Sequence, residues 1–178
     1  ASEANEIITE INDRGTIVKS PYIPNWSNRL LLKYGESRFR FLRKAITAFY
    51  EITQFVLPVG PKRGVYVAAK KYLKSNSVDV IIATGEPFVL FSYASRLSKE
   101  FGIPWVADYR DPWSQNKGHQ HNAFLTAYFT FLEKRIVRSA SQLITVSELL
   151  QLKIGTLNPT VSTHVVQNGY DPEVIDSI

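Results

Sequence analysis

The sequence predicts an α/β protein built on a parallel sheet, three layers deep, with helices on both faces. Two observations carry this. Between Asp79 and Ser147, short apolar runs alternate with longer helical runs, the pattern of strand–helix–strand units. Each short run also ends in a small or charged cluster: Thr84-Gly85-Glu86, Asp108-Tyr109-Arg110-Asp111, then Ser147. Parallel sheets bind ligands outside the carboxyl ends of their strands, so these clusters form a candidate site rim.

The elements follow in order. Residues 1–13 read as an acidic amphipathic helix, with Ala4, Ile7, Ile8 and Ile11 on one face and Glu3, Glu6, Glu10 and Asp13 on another. Gly15 is placed to stop it, and residues 16–19 read as a short strand. Pro21, Pro24 and Asn25 mark a loop. Phe39, Leu42, Ile46, Phe49 and Val56 recur at helical spacing and predict one long helix over 36–56. Pro58, Gly60 and Pro61 interrupt the chain before a helix over 62–75 and a strand over 78–83. Pro87 suits the first turn of a helix over 87–101, which Gly102 ends. A strand over 104–108, a polar loop over 112–122 and a helix over 123–139 come next. A strand over 142–146 leads to a helix for which Ser147 is a natural N-cap. Asn158-Pro159 is a turn, 163–167 a strand and Asn168-Gly169 a second turn.

Composition narrows the function. The 178 residues suffice for one sizeable core, so one domain is the default, and a 44% hydrophobic content is ordinary for a globular chain. No apolar run approaches the roughly 18 residues of a membrane span. Without cysteine there are no disulfides and no thiolate metal sites. Without methionine the chain reads as a fragment, a processed product, or a sequence from which modified methionines have dropped out. Charge is lopsided: residues 29–74 hold eleven basic side chains against Glu36 and Glu51. Such asymmetry speaks of partners, not of fold. Arg38, Arg40, Arg43 and Lys44 crowd the first half of the helix over 36–56, where cations oppose the helix dipole. Either a solvated face or an anionic partner accounts for them.

Each candidate motif carries a functional and a bland interpretation. At Thr84-Gly85-Glu86 the glycine would let a ligand approach the backbone beside a helix N-terminus; the bland alternative is an ordinary strand–helix turn. In Asp108-Tyr109-Arg110-Asp111-Pro112-Trp113, an arginine between carboxylates can grip a phosphate or carboxylate, and Trp113 offers a stacking face for a sugar. The alternative is an ion pair that shapes the loop, with Trp113 as a lid on the core. Position at a strand end favours the functional interpretation. His119 and His121 lack the further ligands a metal site needs, and His164 reads as a strand residue, so no metal is expected. No G-x-S-x-G, H-E-x-x-H or P-loop pattern occurs.

Four segments together, DVIIATGEP, GIPWVADYRDPW, LEKRIVRSASQLITVSE and VVQNGYDPE, resemble the N-terminal domain of a GT-B glycosyltransferase of family 4. The segment from Glu133 to Ser147 is similar to that family's E-x6-A-D-x-I-x-V-S stretch, with Ser141 where an acid is usual. Asn168-Gly169-Tyr170-Asp171 is similar to its closing N-G-V-D. Arg110-Asp111 stands where many members have His-Asp.

The resemblance implies a Rossmann-like acceptor-side lobe over 1–178, with a donor-binding domain and a first strand lying outside this chain and the lobe alone inactive. It implies hexosyl transfer with anomeric retention, no cofactor, and a nucleotide sugar as the donor substrate. The acceptor would be a sugar or a lipid-linked molecule in cell-surface polysaccharide or glycolipid synthesis. Arg110 and Asp111 would be the catalytic-site pair, orienting the acceptor. Thr84, Gly85, Glu86, Asp108, Trp113, Ser147, Asn168 and Gly169 would bind substrate. Arg38, Arg40, Arg43 and Lys44 would meet an anionic membrane, placing the protein in the cytoplasm and peripherally on the inner membrane face. A GT-B epimerase lobe and a non-enzymatic binding domain stay open; a pI of about 9.4 permits nucleic acid for the latter, but no recognised nucleic-acid motif is present, the basic excess is local, and no nucleic-acid partner is expected.

Overall fold

The computed structural model describes residues 7–13, 15–116 and 123–169. The chain divides into two compact units, Ala1–Val78 and Asp79–Ile178.

The first unit opens on a hairpin. Strand β1 (Ile8–Asn12) pairs antiparallel with β2 (Gly15–Lys19), Asn12 lying opposite Gly15 and Ile8 opposite Lys19. The helix expected over 1–13 is therefore corrected to a strand in its described part. Its isoleucines fit either period, and β-branched side chains favour the extended form once a partner strand is present. Gly15 does not stop a helix; with φ of +140° it turns the hairpin. Glu10 and Lys19 meet at 2.6 Å on the exposed surface, a pair that contributes little.

Three helices follow: α1 (Trp26–Tyr34), α2 (Arg40–Thr53) and α3 (Arg63–Ser75). The helix expected over 36–56 is shorter at both ends, and α1 has no counterpart in the sequence expectation. Asn25 starts α1, its side chain accepting from Asn28 N at 2.8 Å. Gly35, at φ of +79°, ends it by donating to Leu31 O. Buried Ser27 ties α1 to α2: its hydroxyl donates to Arg43 O at 3.1 Å and accepts from Thr47 Oγ1 at 2.9 Å. No residue of α2 is buried.

The second unit is a Rossmann-like α/β lobe. Strands β3 (Ile81–Gly85), β4 (Trp105–Tyr109), β5 (Gln142–Thr145) and β6 (Thr163–Val165) form one parallel sheet in that order. Helices α4 (Val89–Phe101), α5 (Ala123–Val137) and α6 (Glu148–Leu157) connect them. Every strand and helix expected beyond residue 78 is present, with ends displaced by a few residues.

Sequential parallel strands joined by right-handed crossovers carry their helices on one face. Contacts agree: Phe91 of α4 meets Trp105 and Tyr109, Glu133 of α5 meets Tyr109, and Gly155 of α6 lies against the Thr163 side chain, level with Leu143. Trp105, Ala107, Tyr109 and Leu143 are fully buried beneath these helices. Burying each large side chain contributes about 1.5–3 kcal/mol. Strand alternation sends Thr84, Asp108, Ile144 and His164 to the opposite face.

Candidate active site at the strand carboxyl ends

Parallel register sets Thr84 beside Asp108 and Asp108 beside Ile144. Thr84 Oγ1 donates to Asp108 Oδ2 at 2.9 Å. Arg110 Nε donates to the same oxygen at 3.0 Å. The guanidinium reaches on, its Nη1 donating to Asn168 Oδ1. One ladder thus links the ends of β3 and β4 with the segment that follows β6. Asp108 is 4% exposed while Arg110 lies open. The aspartate therefore acts as an internal anchor that holds one edge of the guanidinium, and Arg110 faces solvent at the sheet end.

The other site candidates fall around this ladder. Asp111 and Glu86 are exposed, and neither makes a side-chain hydrogen bond to a described residue. Asn168 and Gly169 are exposed as well. Tyr170 and Asp171, with His119 and His121, lie outside the described residues. Among the described residues no group of three or more acidic or histidine side chains could hold a metal ion.

Three candidates have internal duties. A side chain on Gly85 would meet the Phe88 ring at 2.5 and 2.7 Å, so packing accounts for this glycine without any ligand. Trp113 stacks on Phe88 with ring centroids 5.3 Å apart and planes 3° from parallel, which covers one indole face. A sugar could stack only on the other. Ser147 caps α6, accepting from Leu150 N at 3.4 Å.

Glu133 matters more than its sequence setting indicated. It is 1% exposed, inside α5. Oε1 accepts from Tyr109 Oη and Oε2 from Ser114 N, both at 2.9 Å. The carboxylate thereby clamps the loop between Tyr109 and Ser114, which carries Arg110, Asp111 and Trp113. Burial pushes its carboxyl above the usual range, against hydrogen bonds from Ser114 and Tyr109 that pull it down. Burial first, and then the Glu133 charge, hold the Tyr109 phenol well above its usual value. The available signal was an acid placed between the core positions Leu132 and Ile136; its two partners, however, come from another element.

In the first unit, Arg38, Arg40 and Lys44 are exposed. Arg38 lies over the rings of Tyr34 and Phe39 at 5.8 and 5.7 Å. Arg43 is turned inward, with Nη2 donating to Glu36 O at 2.6 Å, so the four cations do not form a single free face.

A parallel sheet with polar side chains converging at its carboxyl edge defines a ligand-binding α/β lobe. A family model described as a glycosyl transferase 4-like domain matches residues 29–169, and the chain belongs to that family. It is a glycosyltransferase lobe. A comparison with curated proteins returned no match.

Proposed function

We propose that this lobe binds the acceptor in a retaining glycosyl transfer from a nucleotide sugar, in the synthesis of cell-surface polysaccharide or glycolipid. The observation that carries the reading is the Thr84–Asp108–Arg110–Asn168 ladder. It holds a guanidinium open to solvent at the sheet edge where such lobes meet substrate. Arg110 would grip the acceptor and exposed Asp111 would orient its hydroxyl, a positioning role in which geometry supplies the rate. The N-terminus of α6 would offset part of the charge on the leaving diphosphate. No cofactor is required in this scheme.

The lobe would work at an anionic membrane surface on the cytoplasmic side. Arg38, Arg40 and Lys44 are exposed beside Phe41, Leu42 and Phe49, which are 86%, 51% and 60% exposed on a helix with nothing buried. Cations flanking exposed apolar side chains suit a headgroup layer.

The test is kinetic. In the intact enzyme, with this lobe joined to a donor-binding domain, Arg110→Ala should lower kcat/KM for the acceptor by about tenfold to several hundredfold, from about 1–3 kcal/mol of lost charged hydrogen bonding. Arg110→Lys should recover part of the loss. If both variants keep full activity, the ladder only shapes the loop.

A further inference from the structure

The first unit carries a hollow of about 630 Å³, open to solvent, formed by the chain over 20–24, the start of α1, the middle of α2 and the first turns of α3. This is within the roughly 300–1,000 Å³ of ordinary small-molecule sites. Ile23, Trp26, Phe49 and Val67 supply apolar wall. Two exposed guanidiniums, Arg29 and Arg63, also line it, and among the described residues no aspartate or glutamate does.

Both cations hold donors in reserve. Among the described residues Arg29 commits only Nε, to Pro24 O at 3.2 Å. Arg63 makes no side-chain hydrogen bond to a described residue. Ser20 Oγ, buried and without a hydrogen-bond partner among the described residues, lines the same space. The cavity floor is fixed at Gly64, where a side chain would meet Ser20 Oγ at 2.3 Å and Pro21 O at 3.1 Å. An apolar hollow whose charged lining, among the described residues, consists of two arginines suits an anion on an apolar body. Arginine forks fit phosphate oxygens, and a bound anion would satisfy the open N–H groups.

We propose that this cavity binds a phosphate-bearing amphiphile, the phosphate held between Arg29 and Arg63 and the tail laid along Trp26, Ile23, Phe49 and Val67. The site draws on no residue of the strand-end ladder, so it stands or falls apart from the transferase reading.

Titration calorimetry with the full chain tests it, using decyl phosphate below its micelle-forming concentration, with decanol and inorganic phosphate as the two half-ligands. Decyl phosphate should bind saturably at one site. Each half-ligand should bind at least about tenfold more weakly, since each forgoes either the charged hydrogen bonds or the apolar burial. Arg29→Gln with Arg63→Gln should weaken decyl phosphate about tenfold or more while an unchanged circular dichroism spectrum shows the fold intact. Val67→Trp, which fills the hollow from an exposed helix position, should do the same with both arginines present. Decanol binding as tightly as decyl phosphate would leave an apolar groove only. Phosphate binding as tightly would leave an anion site only. Undiminished binding by both variants, or no saturable binding by the folded protein, would also overturn the proposal.

Discussion

Glu133 gives the sharpest test of how the site loop is held. Its carboxylate accepts from Tyr109 Oη and Ser114 N at 2.9 Å each, in a position 1% exposed. Glu133→Ala strands both donors. An orphaned buried donor costs about 1–3 kcal/mol, so the pair should cost about 2–6 kcal/mol, with the vacated volume adding to it. Glu133→Gln differs in a way the geometry dictates. Its amide oxygen can accept from Ser114 N while its NH2 donates to Tyr109 Oη, because a phenol can accept as well as donate. Ser114 N stays satisfied and Tyr109 Oη keeps a partner, but the phenol's own proton loses its acceptor, so the loss should be about 1–3 kcal/mol, below that of Glu133→Ala. Urea unfolding of the three proteins reads these values directly, and the slope of each curve shows whether the unfolded reference has shifted. Should Glu133→Gln prove as damaging as Glu133→Ala, or should neither move the midpoint, the two hydrogen bonds do not hold the loop.

Four further outcomes are expected. Because burial raises the folded-state pKa of Glu133, its contribution to stability is fully present below the ordinary glutamate value and is lost as pH rises through the raised one. Unfolding free energy measured across that window should fall with pH in the native protein, and the part owed to this residue should vanish in Glu133→Gln. Gly85→Ala should destabilise the protein by about 1–3 kcal/mol through overpacking against Phe88, and a thermal melt checks it; an unchanged Tm would return Gly85 to a ligand-approach role. Changing Arg38, Arg40 and Lys44 to Glu should abolish co-sedimentation with anionic liposomes, at about 1 kcal/mol for each basic residue near the surface, and native binding should weaken with salt; equal sedimentation with neutral liposomes would leave α2 a solvated helix. Asp108→Asn should loosen Arg110 and so lower kcat/KM for the acceptor, and full activity in that variant would show that the buried aspartate does not anchor the arginine.

The second unit was legible from sequence because its strands are parallel ones packed under helices, β4 almost wholly buried. Such strands read as continuous apolar runs, IIATG, WVADY and QLIT among them, and glycine, proline or Ser147 marks where each run yields to a helix. The placement of Thr84, Asp108 and Arg110 at strand ends was legible for the same reason. The first unit was less so. Ile7, Ile8 and Ile11 satisfy a helical and an extended pattern alike, and pairing with residues 15–19 decides between them. Gly35 carries the break between α1 and α2, but a single glycine within an apolar periodicity does not announce whether the chain turns there. What only the tertiary structure decided are the partnerships. Asn168 meets Arg110 from 58 residues away, Glu133 reaches back to Tyr109 and Ser114, and Phe88 takes the space that Gly85 leaves. A side chain's local pattern records which way it points along its own element, whereas its hydrogen-bond partner is chosen by the register of neighbouring strands and the seating of helices on them.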